Sequence, residues 1–196
     1  MKIIAIRGNY PPAQNTQPVI YLRPDSTLLK NGKPFFIPDF ESRTAFTLEP
    51  VFRLCRLGKA IPEEFAHRYY DAVTVGINFR AIDMEEELSR KGLPWEMSNL
   101  FDGSAVIGDF TKVTEKTPAD RLNLRLDIDG KTVQDFSTTG MRFSPDHIIS
   151  LLGHYSTLKM GDLLYMDSPE KPVTAHPDML IEGYLNGEKL LSFHTR

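Results

Sequence analysis

The chain has 196 residues, 41% of them hydrophobic and 25% charged, with a formal net charge of −3. That length supports one domain with a sizeable core, expected to span 1–196, and the near-balanced charge excludes a basic nucleic-acid binder or an acidic tail protein. A lone cysteine, Cys55, excludes an intrachain disulfide, and no apolar run reaches membrane-spanning length, so the expectation is a cytoplasmic protein with no membrane or nucleic-acid partner.

In chain order, the apolar stretch of Met1–Arg7 is too short for a secretory signal and predicts a first strand. Val19–Leu22 predicts a second. Ala45–Leu54 predicts a longer strand interrupted at Pro50, where a missing ladder donor demands an edge or a bulge. Pro62-Glu63-Glu64 opens a short helix, with proline at the start and acids at the positive end of the dipole. The β-branched run Ala72–Phe79 predicts a strand, and Asp83–Arg90 a helix stopped by Gly92 and Pro94. Leu122, Leu124, Leu126 and Ile128 alternate with polar residues as a half-buried strand does, and Asp129-Gly130 turns that strand back through 132–136. Ser144 caps a helix running to about Tyr155, and Asn186-Gly187 joins 179–185 to 189–194 as a hairpin. Strands outnumber helices and do not alternate with them, so the fold class is α+β, mostly β with a few short helices, and not a doubly wound parallel sheet.

Common catalytic signatures are absent. There is no Gly-x-Ser-x-Gly, P-loop or Gly-x-Gly-x-x-Gly. His147 and His154 are seven residues apart on one helix, about 10 Å along its axis, too far to share one ion. His67, His176 and His194 have no metal-ligand spacing, and Cys55 has no activating partner.

Several stretches, in order, resemble one family. Arg7-Gly8-Asn9-Tyr10 resembles its Gly-Arg-Asn-Tyr turn, and Tyr21-Leu22-Arg23-Pro24 its Phe-Leu-Lys-Pro. Lys91-Gly92-Leu93-Pro94-Trp95 with Phe101-Asp102-Gly103 resembles the segment ending Lys-Ser-Phe-Asp. Met141-Arg142-Phe143-Ser144 and Leu158-Lys159-Met160-Gly161-Asp162-Leu163-Leu164 resemble its Met-Ile-Phe-Ser helix and Leu-x-x-Gly-Asp-x-Ile strand. The whole is similar to the short, acylpyruvase-like branch of the fumarylacetoacetate hydrolase family. The resemblance implies a mixed β-roll, a homodimer, and Mg²⁺ or Mn²⁺ chelating a small 2-oxo acid.

The same resemblance places a changed site. The family's Glu-x-Glu falls on Thr47 and Glu49, and its aspartate ligand on Asn78, so only Glu49 keeps a carboxylate. Affinity for hard divalent ions depends on ligand charge. The expectation is therefore no metal, or weakly held Mg²⁺ or Mn²⁺. The family's water-activating His-x-x-Glu is replaced within Pro11–Thr16, where Gln14 orients water without taking its proton. Its lysine before Phe-Asp becomes Asn99, and its Thr-Gly-Thr-Pro loop reads Met166-Asp167-Ser168-Pro169. No catalytic residue is assigned; Arg23, Asn99, Gln134 and Met166 are placed at the substrate pocket.

Competing readings stand beside these. Glu49 is a remnant ligand or a carboxylate paired with Arg80 or Arg53; Asn78 is a strand-end hydrogen bonder; Arg23 is a solvated surface residue; Gln134 is exposed on a hairpin; Asp102 is a turn residue. The first functional expectation is a catalytically impaired member that binds a small anion or serves a structural role. The alternative is an active hydrolase, decarboxylase or isomerase of small 2-oxo acids with an atypical weak Mg²⁺ or Mn²⁺ site. A metal-free tautomerase would need a basic pocket residue that the sequence does not reveal.

Overall fold

The computed structural model describes residues 1–30, 32–114 and 119–196. Its strands are β1 (Ile3–Arg7), β2 (Val19–Arg23), β3 (Leu28–Leu29), β4 (Thr44–Leu54), β5 (Tyr70–Ala81), β6 (Ala105–Ile107), β7 (Thr111–Lys112), β8 (Asn123–Ile128), β9 (Lys131–Ser137), β10 (Leu163–Tyr165), β11 (Val173–Thr174), β12 (Leu180–Leu185) and β13 (Glu188–His194). The α-helices are α1 (Glu63–Ala66), α2 (Ile82–Arg90) and α3 (Pro145–Tyr155). None of the described helices is long and apolar enough to cross a membrane. The fold is mostly β with few helices, and its main sheet is curled.

The backbone of the molecule is the antiparallel pair β4–β5, in register from Thr44 opposite Ala81 to Arg53 opposite Ala72, with a shift before Leu54 opposite Tyr70. Around it the larger sheet runs β2-β1-β10-β4-β5-β6-β3, with β11 added to β4 and β7 to β5. β1 lies parallel to β10 and β3 parallel to β6, which makes the sheet mixed. The smaller sheet, β13-β12-β8-β9, is antiparallel. Both of its predicted tight hairpins form. Asp129 and Gly130 have φ of 51° and 75°, and Asn186 and Gly187 of 50° and 85°, the left-handed pairs that type I′ turns require.

Both faces of β4 and β5 are covered, which explains why they read as near-continuous apolar runs. One face sends Phe46, Leu48, Phe52, Val75, Ile77 and Phe79 against Leu124, Leu126, Ile181 and Phe193 of the smaller sheet, and against Ile148, Ile149 and Leu152 of α3. Ser144 caps α3 by accepting from His147 N. The opposite face carries a second cluster of Ile3, Ala5, Tyr21, Val51, Leu163 and Tyr165.

Pro50 lies in an interior strand, contrary to the edge or bulge expected of it. The reason is a break in the neighbour. β10 pairs with Val51–Arg53 and β11 with Ala45–Phe46, so no strand flanks 47–50 on that side. Met166 N donates to the Pro50 carbonyl at 3.1 Å from that side. A strand residue's N and C=O point the same way, so the missing donor faces the break and β5 loses no ladder bond. Gln134 bridges the break: its Oε1 accepts from Leu48 N at 3.0 Å and its Nε2 donates to Lys171 O at 2.8 Å.

The Gly-Asp motif serves as a staple. The Asp162 carboxylate, fully buried, accepts from Lys2 N at 2.8 Å and from Lys159 N at 2.9 Å, and pairs with Lys2 Nζ at 2.6 Å. These contacts hold β1 beside β10.

Candidate functional site

The break beside Pro50 opens onto a cavity of about 110 Å³ on the face opposite the main core, bounded by Arg7, Thr47, Glu49, Asn78, Arg80 and Asp167. Residues two apart on a strand share a face. β4 therefore presents Thr47 and Glu49 together, and the register sets Asn78 opposite Thr47. A larger outer cleft of about 590 Å³ is lined chiefly by apolar groups such as Phe36, Phe40 and Phe101, with Asp39 and Asp102 its titratable groups. The convergent polar groups are in the smaller cavity, which we take as the site.

Glu49 is 1% exposed. Its Oε1 accepts from Asn78 Nδ2 at 2.7 Å and from Thr47 Oγ1 at 3.2 Å, and its Oε2 accepts from Asp167 N at 3.1 Å. Asn78 Nδ2 also donates to Tyr21 Oη at 2.9 Å. Behind Asn78 lies Arg23, 2% exposed. Its Nη2 donates to Asn78 Oδ1 at 2.5 Å, to Asn99 Oδ1 at 3.0 Å and to Phe79 O at 3.2 Å, and its Nη1 donates to Ser104 O at 3.2 Å. Arginine only donates, so the Asn78 carbonyl must face it and the amide N–H groups must face Glu49 and Tyr21.

Asp167 has φ of 69°, a left-handed conformation that aspartate tolerates. The turn swings its carboxylate beside Glu49, where Asn9 N donates to Oδ2 at 2.9 Å. Burial, then the Asp167 charge, pushes the Glu49 carboxyl up to about 7, against the opposing pull of Asn78 and Arg23. Burial also raises Asp167, against its bonds from the Asn9 and Ser168 backbone. On the rim, Arg7 and Arg80 share one carboxylate, Glu85, at 2.9 Å and 3.6 Å, and the Arg7 guanidinium lies 4.3 Å from the Trp95 ring.

The chain matches the Fumarylacetoacetate (FAA) hydrolase C-terminal family over residues 5–186. It belongs to the fumarylacetoacetate hydrolase family. The mitochondrial oxaloacetate tautomerase of Mus musculus is 28% identical over 181 residues, covering 92% of this chain and 82% of that protein. An uncharacterized protein of Pyrococcus abyssi is 30% identical over 197 residues, covering 95% and 86%. Among solved structures, the fumarylpyruvate hydrolase of Pseudomonas aeruginosa, in complex with Mn²⁺ and pyruvate, superposes with a TM-score of 0.91 at 21% identity, covering 100% of this chain and 89% of that one. The 2-hydroxyhepta-2,4-diene-1,7-dioate isomerase of Mycobacterium marinum gives 0.87 at 23%, covering 99% and 73%.

A divalent ion in this fumarylacetoacetate hydrolase family member would need several oxygens converging beside Glu49. Thr47 and the Asp167 carboxylate border the same cavity, but position 78 adds no oxygen to them. Asn78 points N–H groups at Glu49, and its oxygen is held by Arg23. Both Glu49 oxygens already accept from neutral donors. Among the described residues, no group of three or more His, Cys, Asp or Glu is arranged to hold a metal ion. The donor set does not fit Mg²⁺ or Mn²⁺.

The structure brings Thr47, Glu49 and Asn78 together at the cavity, with Arg23 and Asn99 buried directly behind. Gln134 and Met166 lie elsewhere. Gln134 is neither exposed nor at the cavity, because it spans the break under β4. Met166 follows the pleat of β10 onto the core face, fully buried with Leu164. Arg53 and Arg80 do not pair with Glu49; Arg53 bonds Asp71 at 3.0 Å and Arg80 faces Glu85. Arg23 is not a surface residue. Asp167, Arg7 and Tyr21 escaped the sequence reading. The signal for Asp167 was a carboxylate standing at the family loop's glycine; for Arg7 it was the transposed Arg-Gly order before Asn9.

Proposed function

We propose that this chain binds a small carboxylate, a 2-oxo acid or similar anion, in the Glu49 cavity, and is impaired in the metal-dependent chemistry of its family. One observation carries the reading: the Asn78 amide is fixed with its donors toward Glu49 and its oxygen toward Arg23. A volume of about 110 Å³ suits a ligand of only a few heavy atoms, at roughly 30 Å³ per water-sized group. Arg7 and Arg80 on the rim share the Glu85 carboxylate and also face that of Asp167, and they are the cations an incoming anion would meet. Acid/base help is lacking where the family has it: Gln14 is exposed and outside the cavity. On the same footing the protein is taken as a cytoplasmic homodimer, for which light scattering should give about twice the chain mass of 22.3 kDa.

Calorimetry on chelator-stripped protein tests the reading. Pyruvate or oxaloacetate should give binding heat without metal, and Mn²⁺ should give none at millimolar concentration. Micromolar Mn²⁺ binding that Glu49→Ala abolishes would overturn it. The second reading, an active enzyme with a weak atypical Mg²⁺ or Mn²⁺ site, draws support from Asp167, which adds a carboxylate beside Glu49. It predicts Mn²⁺-dependent turnover of an acylpyruvate or oxaloacetate.

A further inference from the structure

Arg23 is a buried cation without a carboxylate partner. Among the described residues, no ion pair includes it. Its guanidinium is held by neutral oxygens from three segments: Asn78 and Phe79 on β5, Asn99 before β6, and Ser104 at the entry to β6. Burying a charge is costly unless it is hydrogen-bonded, and here both terminal nitrogens are met by oxygens while Nε is buried without a partner. The Asn99 side chain is fixed in turn, donating to Ser98 Oγ at 3.0 Å, while Ser104 Oγ donates to its backbone carbonyl at 2.7 Å.

We propose that Arg23 is the positioning residue that excludes divalent ions from this pocket, by holding the oxygens of Asn78 and Asn99 and keeping a permanent positive charge behind the ligand positions. The proposal rests on the metal-free reading above and names the group responsible. Two effects act together. The guanidinium cannot accept, so Asn78 turns donors to Glu49, and its charge, already felt by the Glu49 carboxylate, opposes a second cation there. A lysine at position 23 would keep the charge and lose the fork. The guanidinium reaches Asn78 and Asn99 through Nη2 and Ser104 through Nη1, a span that one ammonium nitrogen does not cover.

The test restores carboxylates at the neutral ligand positions, Thr47→Glu with Asn78→Asp, in two backgrounds: Arg23 retained, and Arg23→Gln. Mn²⁺ binding to stripped protein is read from the loss of the free-ion electron paramagnetic resonance signal, and thermal melting reports whether each variant folds. With Arg23 retained, the new carboxylate at position 78 pairs with the guanidinium, and Mn²⁺ stays free up to millimolar concentration. With Arg23→Gln, which removes the charge, affinity rises on the order of 100-fold, as the carboxylates become available. Should the triple variant not fold, Asn78→Asp with and without Arg23→Gln gives the same comparison. Equal Mn²⁺ affinity in the two backgrounds, whether tight or absent, overturns the proposal. A wild-type protein that gives no heat with pyruvate sinks the anion-binding reading and leaves the Arg23 comparison intact, so the two failures are distinguishable.

Discussion

A buried carboxylate held by an amide, a hydroxyl and one backbone N–H titrates unlike one paired with a cation. Glu49 faces Asn78, Thr47, Tyr21 and Asp167, with the Arg23 charge one residue behind. Burial raises its pKa from 4.5 to about 7. Between those values the folded chain holds a proton that the unfolded chain has released, so the contribution of this group to stability grows as pH falls through that window. The buried Asp167 shifts the same way. The melting temperature of the wild type relative to Glu49→Gln should therefore rise from about pH 7.5 to about pH 5. A difference that is flat or falls on acidification would show that Glu49 is ionised throughout. At this scale the sequence was informative wherever strand spacing decides: Thr47 and Glu49 share a face because they are two apart. It left Arg23 between two readings, a pocket residue by resemblance and a surface residue by its place between a strand and a proline, and only the tertiary oxygens of Asn78, Asn99, Phe79 and Ser104 make a buried position tenable.

Among the elements, the interrupted partner of β4 is the feature that positions the cavity. Strand β4 itself is legible from its composition, and the hairpin turns from their Asp-Gly and Asn-Gly pairs. The break between β10 and β11 is not, because periodicity reports which face a residue takes and not which segment lies beside it. Gln134 does the work of the missing strand, with one acceptor for Leu48 N and one donor for Lys171 O. Gln134→Ala leaves the buried Leu48 N–H unmet and releases the carbonyl of the exposed Lys171, at a cost of about 1–3 kcal/mol. Urea unfolding should show that loss, with pyruvate binding unchanged, since Gln134 does not bound the cavity. Weakened binding with unchanged stability would return Gln134 to the pocket.

Across the whole molecule, one apolar layer joins the two sheets. Phe79 lies at its centre, stacked on Phe35 with centroids 3.7 Å apart and in contact with Phe46 and Phe193. Phe79→Ala should cost about 3–5 kcal/mol in chemical denaturation. A loss under about 1 kcal/mol would mean that the layer closes around the missing ring. The α+β, strand-dominated class was readable from the order of elements. The joining of β1 to β10, through Asp162 and Lys2, was carried by the Gly-Asp motif without its partner being visible, since the two strands lie some 160 positions apart.

Pro50 gives that architecture a chemical guarantee. A seam left open by weak side-chain preferences can zip shut when a neighbouring segment slides into register. This one cannot, because the ring nitrogen carries no hydrogen and any strand drawn toward it from 167–172 would find no donor to meet its carbonyl. The covalent structure of the chain thus biases this side of the sheet toward staying open. Substituting Pro50 would supply the missing donor and let the gap begin to heal.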